Sequence, residues 1–188
     1  MGQKLPARGE VIMTGIGGGG ILTAGRLLAE AATAKYKNVT WFPSYAISKR
    51  GGLSECTVVF SEGEIASPLL SRADGVIVAE AAQFKDFEGR VHPGGTMIVE
   101  KAGLGAKATR KDVRVIEVPA IETAISLSGT SRGANLILLG AFVQATQVIS
   151  PQLIKQEIKK SFASDEKTRK NNLEAFEKGR SLIKSIND

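Results

Sequence analysis

The chain of 188 residues has a single cysteine, Cys56, and a single histidine, His92. One thiol cannot form an intrachain disulfide, nor by itself hold an iron–sulfur cluster or a cysteine-based zinc ion, so any electron carrier has to come from elsewhere. Cys56 shares one strand face with Val58 and Phe60 and reads as buried filler rather than a nucleophile. His92 opens the run His92-Pro93-Gly94-Gly95, which reads as a turn into a strand, with no nucleophile beside it to serve as base. Aromatic residues make up 5% of the chain, and only Trp41 and Tyr45 lie near the Lys49-Arg50 pair. That leaves no stacking platform for nucleic acid, and the formal charge of +6 is spread through a segment that interleaves Lys and Arg with Glu and Asp, as on a solvated helical face. No apolar run reaches about 18 residues, and no signal-peptide pattern opens the chain. A cytoplasmic protein without a membrane span is expected.

Acidic residues are missing from one stretch where they would carry meaning. Among the 21 glycines, Gly15-Ile16-Gly17-Gly18-Gly19-Gly20 follows Val11-Ile12-Met13 and precedes the apolar segment from Ile21 to Ala34, which reads as strand, phosphate loop and helix. Glycines there let the backbone turn tightly and approach a ligand, and the following helix aims free N–H groups and its positive end at an anion. Gly15, Gly17 and Gly20 satisfy G-x-G-x-x-G, so a dinucleotide has to be considered, alongside a glycine-rich turn that binds nothing. A dinucleotide site also needs an Asp or Glu roughly 20 residues on, to bind ribose hydroxyls. No carboxylate occurs between Ala31 and Ser54; the second strand is followed by Lys49-Arg50-Gly51-Gly52, which suits a ligand with extra phosphate. The alternative for the cations is a tight, outward-facing connection into the next strand.

Strand patterns fall at Glu10 to Thr14, Val39 to Phe42, Cys56 to Phe60, Gly75 to Ala79, Thr96 to Glu100 and Val113 to Val118, alternating with helical ones. This predicts an α/β fold: a three-layer, Rossmann-like domain over residues 1–188 with a mostly parallel sheet of about six strands. Ile21, Ala24, Gly25, Leu28 and Ala32 form the stripe that packs the first helix on the sheet. Ser67-Pro68 reads as the start of a short helix. Pro119 to Ser128 reads as another, and Asn135 to Val148 as a buried central one. Residues 150–188 form a helical hairpin, its members capped by Ser150 and Ser164, that packs either on the domain or on a neighbouring subunit.

The ordered set Gly15 to Gly20 with Ile21-Leu22-Thr23-Ala24-Gly25, then Ser48-Lys49-Arg50-Gly51-Gly52, Ser67-Pro68, Ala73-Asp74 and Asn135-Leu136-Ile137-Leu138-Leu139-Gly140-Ala141 resembles the gamma subunit of 2-oxoacid:ferredoxin (acceptor) oxidoreductases. Gly19 stands where that family commonly has Gln, and Ala46-Ile47-Ser48 where many members have a Gly-Pro-Glu-like stretch. The resemblance implies a complex that oxidatively decarboxylates a 2-oxoacid with coenzyme A to acyl-CoA and CO2, passing electrons to ferredoxin or a similar acceptor. It implies alpha, beta and delta partner subunits, which carry thiamine diphosphate, Mg²⁺ and iron–sulfur clusters. For this chain it implies a part in holding coenzyme A, with Gly15, Gly17, Gly18, Gly19, Gly20, Lys49, Arg50, Gly51, Gly52 and Asn135 as contact residues and no catalytic or metal-binding residue. Gly17, Gly18 and Gly20 would present backbone donors to the diphosphate. The competing expectations are a stand-alone NAD(P)-binding oxidoreductase domain and a purely structural subunit.

Overall fold

A computed structural model of the chain describes residues 6–45 and 52–187. Six strands form one sheet: β1 (Arg8–Ile16), β2 (Asn38–Tyr45), β3 (Leu53–Ser61), β4 (Ala73–Val78), β5 (Val91–Glu100) and β6 (Arg114–Val118). Their order is β2-β3-β1-β4-β5-β6. β1, β4, β5 and β6 run parallel, whereas β3 is antiparallel to both β1 and β2. The short connection between β2 and β3 explains the reversal, since a parallel neighbour needs a crossover of a dozen or more residues. The expected mostly parallel sheet is therefore present, with a hairpin where a doubly wound fold would place another crossover.

Helices α1 (Ile21–Ala32), α3 (Ala120–Ser128), α4 (Ala134–Thr146), α5 (Pro151–Ser161) and α6 (Glu166–Asn187) contribute to the core on one sheet face. The other face is covered by a thinner layer, in which Phe84 and Phe87 of α2 (Phe84–Glu88) pack with Leu70, Leu104 and Val113 on Val76, Val78, Met97 and Val99. The expected stripe of α1 is buried, and Gly25 permits its close approach: a Cβ there would lie 3.2 Å from Trp41 Nε1 and collide with Cys56 Sγ. No helix among the described residues is long and apolar enough to cross a membrane.

α4 is the central helix that the sequence predicts, with every residue from Asn135 to Val143 buried. α6 folds back on it. Gly140 of α4 lies under the Phe176 carbonyl of α6, and Gly179 of α6 lies under the Ile137 carbonyl of α4, so the two backbones touch with no side chain between them. The open question about the C-terminal helices is thereby answered: their apolar residues Ile154, Ile158, Phe176 and Ile183 belong to this chain's own core.

Three local expectations are corrected. Ser67-Pro68 starts no helix; Ser67 Oγ accepts from the Leu69 N–H at 3.1 Å in a single turn, and Thr57 Oγ1 donates to the Pro68 carbonyl at 2.6 Å, tying the segment to β3. Ser164 is not the cap of α6, because Asp165 reaches the Thr168 N–H at 2.9 Å and its hydroxyl at 2.7 Å, a reach that suits the N-cap position. His92 to Gly95 is not a turn preceding β5 but a bulge inside it, where the register with β4 passes from Ala73↔Val91 to Gly75↔Thr96.

Candidate ligand site at the glycine loop

β1 delivers the chain to the loop through Gly15, which is buried; a Cβ on it would lie 3.1 Å from the Ala79 Cβ and 3.7 Å from the Ile21 Cβ. Its glycine therefore permits close packing of strand and helix. Gly18 and Gly20 have φ of 95° and 77°, the left-handed conformation that residues with a Cβ rarely adopt. Gly20 is the N-cap of α1, so no side chain caps that helix, and its first turn contains no acidic residue.

The loop's donors divide into spent and unspent. The Gly17 N–H donates to the Gly52 carbonyl at 2.9 Å and the Gly19 N–H to the Ile16 carbonyl at 3.0 Å. This corrects the expectation that Gly17 offers its donor to a phosphate. The Gly18 and Gly20 N–H groups have no partner among the described residues. They stand with the uncapped first turn of α1 as open donors at the helix's positive end. Gly17, Gly18 and Gly19 are exposed.

Two further elements converge here. Gly52 approaches Gly17 at the entry to β3; Lys49, Arg50 and Gly51 lie outside the described residues. From the other side comes the N-terminus of α4, whose N-cap Gly133 is also left-handed, at φ 96°, and whose first turn has no acidic residue. There Asn135, buried to 9% exposure, donates its amide to the Gly20 carbonyl at 2.9 Å. Asn135 thus holds the loop through one donor of its amide. A Cβ on Gly20 would sit 2.8 Å from the Asn135 Nδ2.

Some residues of the site escaped the sequence pattern. Ser54 pairs with Gly15 across β1 and β3, and its Oγ is 3.6 Å from where a Gly17 Cβ would stand. Beneath the loop, Thr14 Oγ1 donates to Gln83 Oε1 at 2.8 Å, and Gln83 Nε2 reaches the Gly15 carbonyl at 3.4 Å. Nothing local in the sequence marks Gln83, which follows a different strand. Glu55, on the third strand, is paired with Arg90 at 2.8 Å, so its negative charge is compensated. Cys56 is fully buried, and burial pushes its thiol up to about 12, against a smaller opposing effect of the Trp41 side chain. It is no nucleophile. A cavity of about 880 Å³ is lined by Lys35, Tyr36, Gln147 and Arg180 and includes no residue of the glycine loop.

The family model for pyruvate ferredoxin/flavodoxin oxidoreductase matches residues 10–182. The chain belongs to this family. Within it, the chain is 30% identical over 187 residues to the 2-oxoglutarate synthase subunit KorC of Methanothermobacter thermautotrophicus, covering 95% of this chain and 97% of KorC. It is 32% identical over 171 residues to the ketoisovalerate oxidoreductase subunit VorA of the same organism, covering 90% of this chain but 35% of VorA. The chain thus spans about a third of the length of that relative. Among solved structures, the 2-oxoglutarate:ferredoxin oxidoreductase of Magnetococcus marinus, with 2-oxoglutarate, coenzyme A and succinyl-CoA bound, superposes with a TM-score of 0.85 at 22% identity, over 96% of this chain and 32% of that one. The family membership agrees with the resemblance carried by the glycine loop and the central helix, and the superposition agrees with the expected fold.

Proposed function

We propose that this chain is the gamma-type subunit of a 2-oxoacid:ferredoxin oxidoreductase and that its glycine loop holds the phosphate end of coenzyme A. The observation that carries the reading is the pair of unspent donors, Gly18 and Gly20, at the uncapped N-terminus of α1, with the N-terminus of α4 beside them. Such a place suits an anion. Lys49 and Arg50 precede Gly52, whose carbonyl anchors Gly17, and their charges would neutralise phosphate there. Gly51 and Gly52 would let the chain pass close to the ligand. KorC supports the subunit assignment, since the alignment covers nearly all of both chains. The Magnetococcus marinus enzyme, of like fold, has coenzyme A bound, which supports the choice of ligand.

In the complete reaction a 2-oxoacid and coenzyme A give acyl-CoA, CO2, a proton and two electrons, the electrons going to ferredoxin or a similar acceptor. Thiamine diphosphate, Mg²⁺ and iron–sulfur clusters would supply decarboxylation and electron transfer from the alpha, beta and delta partner subunits. This chain's share is binding and orientation. Gripping the charged end of a long, flexible co-substrate leaves its thiol to be placed in another subunit's cavity, and prior immobilisation lowers the entropic barrier to the joint reaction. Asn135 contributes by fixing the Gly20 carbonyl, so that the adjoining donors are already aligned.

The test is kinetic. In the assembled complex, purified through a tag on this chain and assayed by 2-oxoacid- and CoA-dependent reduction of a low-potential dye, Lys49→Ala and Arg50→Ala raise the KM for coenzyme A more than that for the 2-oxoacid. Unchanged values of both constants in both variants would rule out the proposed phosphate contact. An isolated chain that binds NAD(P) tightly and recruits no such subunits would favour the dehydrogenase reading, against which the missing carboxylate already stands.

A further inference from the structure

At the end of the sheet opposite the glycine loop, the only histidine of the chain meets two carboxylates. Glu10 comes from β1, Asp74 from β4 and His92 from β5, three strands that are neighbours in the sheet. One potential ligand atom from each lies within 4.8 Å of the others. The bulge in β5 brings them together. From Val91 to Thr96 β5 advances five residues where β4, from Ala73 to Gly75, advances two, and His92 lies in the extra chain. The bulge is fastened: the Gly94 N–H, at φ 78°, donates to the Asp112 carbonyl at 2.6 Å. Gly95 presses on β4 so closely that a Cβ there would lie 2.7 Å from the Asp74 carbonyl oxygen.

The side chains are arranged for a cation. Arg8 donates twice to Glu10 Oε1, from Nε at 2.9 Å and from Nη2 at 2.7 Å. That leaves Glu10 Oε2, which faces His92 Nε2 at 3.5 Å. Two ligands about 2.1 Å from a tetrahedral metal ion stand about 3.4 Å apart, so this pair already has the spacing of one edge of a coordination tetrahedron. Asp74, which is exposed, offers a carboxylate oxygen within 4.8 Å of both. A cavity of about 360 Å³ adjoins the cluster, lined by Glu10, Asp74, Gly94 and Thr146 but not by His92.

We propose that Glu10, Asp74 and His92 form a binding site for one divalent transition-metal ion of the Zn²⁺, Co²⁺ or Ni²⁺ type. One imidazole nitrogen and two carboxylate oxygens suit such borderline ions, whereas Ca²⁺ and Mg²⁺ prefer oxygen alone. The ion would tie the beginnings of β1, β4 and β5 together, far from the glycine loop, and its role would be structural. Because it binds the folded chain and not the unfolded one, it would raise the melting temperature by an amount that grows with the logarithm of the free metal concentration above the Kd.

The experiment uses the full chain, treated with a chelator and dialysed, then titrated with Co²⁺ while visible absorption and thermal unfolding are followed. The expected result is one Co²⁺ per chain, visible d–d bands, and a higher Tm that Zn²⁺ also produces. His92→Gln and Asp74→Asn should each weaken Co²⁺ binding at least tenfold and abolish the Tm gain, while leaving the metal-free Tm within a few degrees of wild type. If either variant fails to fold, the other carries the comparison. Absence of Co²⁺ binding by the wild-type chain, or binding that both variants retain at full affinity, overturns the proposal and reduces the cluster to a surface ion pair. Neither outcome bears on coenzyme A.

Discussion

Adding one methyl group where α6 crosses α4 should destabilise the whole domain. In Gly179→Ala the new Cβ would lie 2.7 Å from the Ile137 carbonyl carbon, 2.8 Å from the Ile137 Cα, and nearer still to the Ile137 oxygen. Ordinary contacts begin at about 3.5 Å, and the oxygen, the nearest atom, falls short of that by more than about 1 Å, so the helices must part by on the order of 1 Å. The obstacle is backbone in a buried helix and cannot swing aside. Parting the helices also loosens Ala175, Phe176 and Ile183, which are buried on α6. Overpacking against an unyielding wall costs about 3 kcal/mol, the upper end of the usual range. The better helix propensity of alanine returns about 1 kcal/mol. The net loss is about 2 kcal/mol, or a fall in Tm of about 4–8 °C for a chain of this length. Urea unfolding followed by circular dichroism measures it, with Gly89→Ala as control. Gly89 has φ −67° and nothing within 4 Å of the position an added methyl would take, so that variant should gain a few tenths to about 1 kcal/mol. Gly140→Ala strains the reciprocal contact at the Phe176 carbonyl, and the double variant should lose less than the sum of the two single losses, since helices already parted accommodate the second methyl. A Gly179→Ala chain as stable as wild type would refute the backbone-to-backbone seam.

Acid stability should depend on Glu88. Burial would raise its carboxyl, but the Arg110 N–H at 3.0 Å, the Thr109 hydroxyl at 2.7 Å and the Thr109 N–H at 2.6 Å, with the Arg110 charge, outweigh it and hold the group below its ordinary value. Its stabilisation is therefore complete above the unfolded value near about 4.3 and fades as pH falls through the lower folded value, so the stability gap between wild type and Glu88→Gln, read from urea titrations, should be wide at pH 7 and close at strongly acid pH. Cys56 works in the opposite sense: with its folded thiol near about 12, the unfolded thiol ionises first as pH rises past about 8.5, and stability declines above that point. In native buffer at pH 8 a thiol reagent should modify Cys56 only as fast as the chain unfolds, and at once in denaturant; rapid native labelling would contradict the burial.

The strands were legible because each is a short β-branched or aromatic run, and even the reversal of β3 follows from a connection too short to cross over. The turn from β1 into α1 was legible because it needs glycines at Gly18 and Gly20, and glycine is what the sequence has there. What Gly17 does was hidden, since its partner, the Gly52 carbonyl, becomes visible only when the β2–β3 hairpin is paired. Asn135 was legible as part of the site but not in its orientation, because its partner is 115 residues away in the chain. Asp165 and Ser164 are both good helix caps, and only the geometry of the incoming chain selects between them. Gly140 and Gly179 look like weak points in two helices until the helices are brought together.

A helix with no polar side has consequences for a chain that is still being made. From Asn135 to Val143, α4 buries every residue, and α6 supplies much of its cover. A nascent chain halted before Glu166 would display that helix to water or to a chaperone, although every strand of the sheet had already emerged. Because Asn135 lies in the first turn of the same helix and grips Gly20, the glycine loop would remain unfastened for as long as α4 is unsheltered. The glycine loop, which follows the first strand to be synthesised, is thus among the last segments to be fastened, and an incomplete chain would present a sheet without a fixed loop.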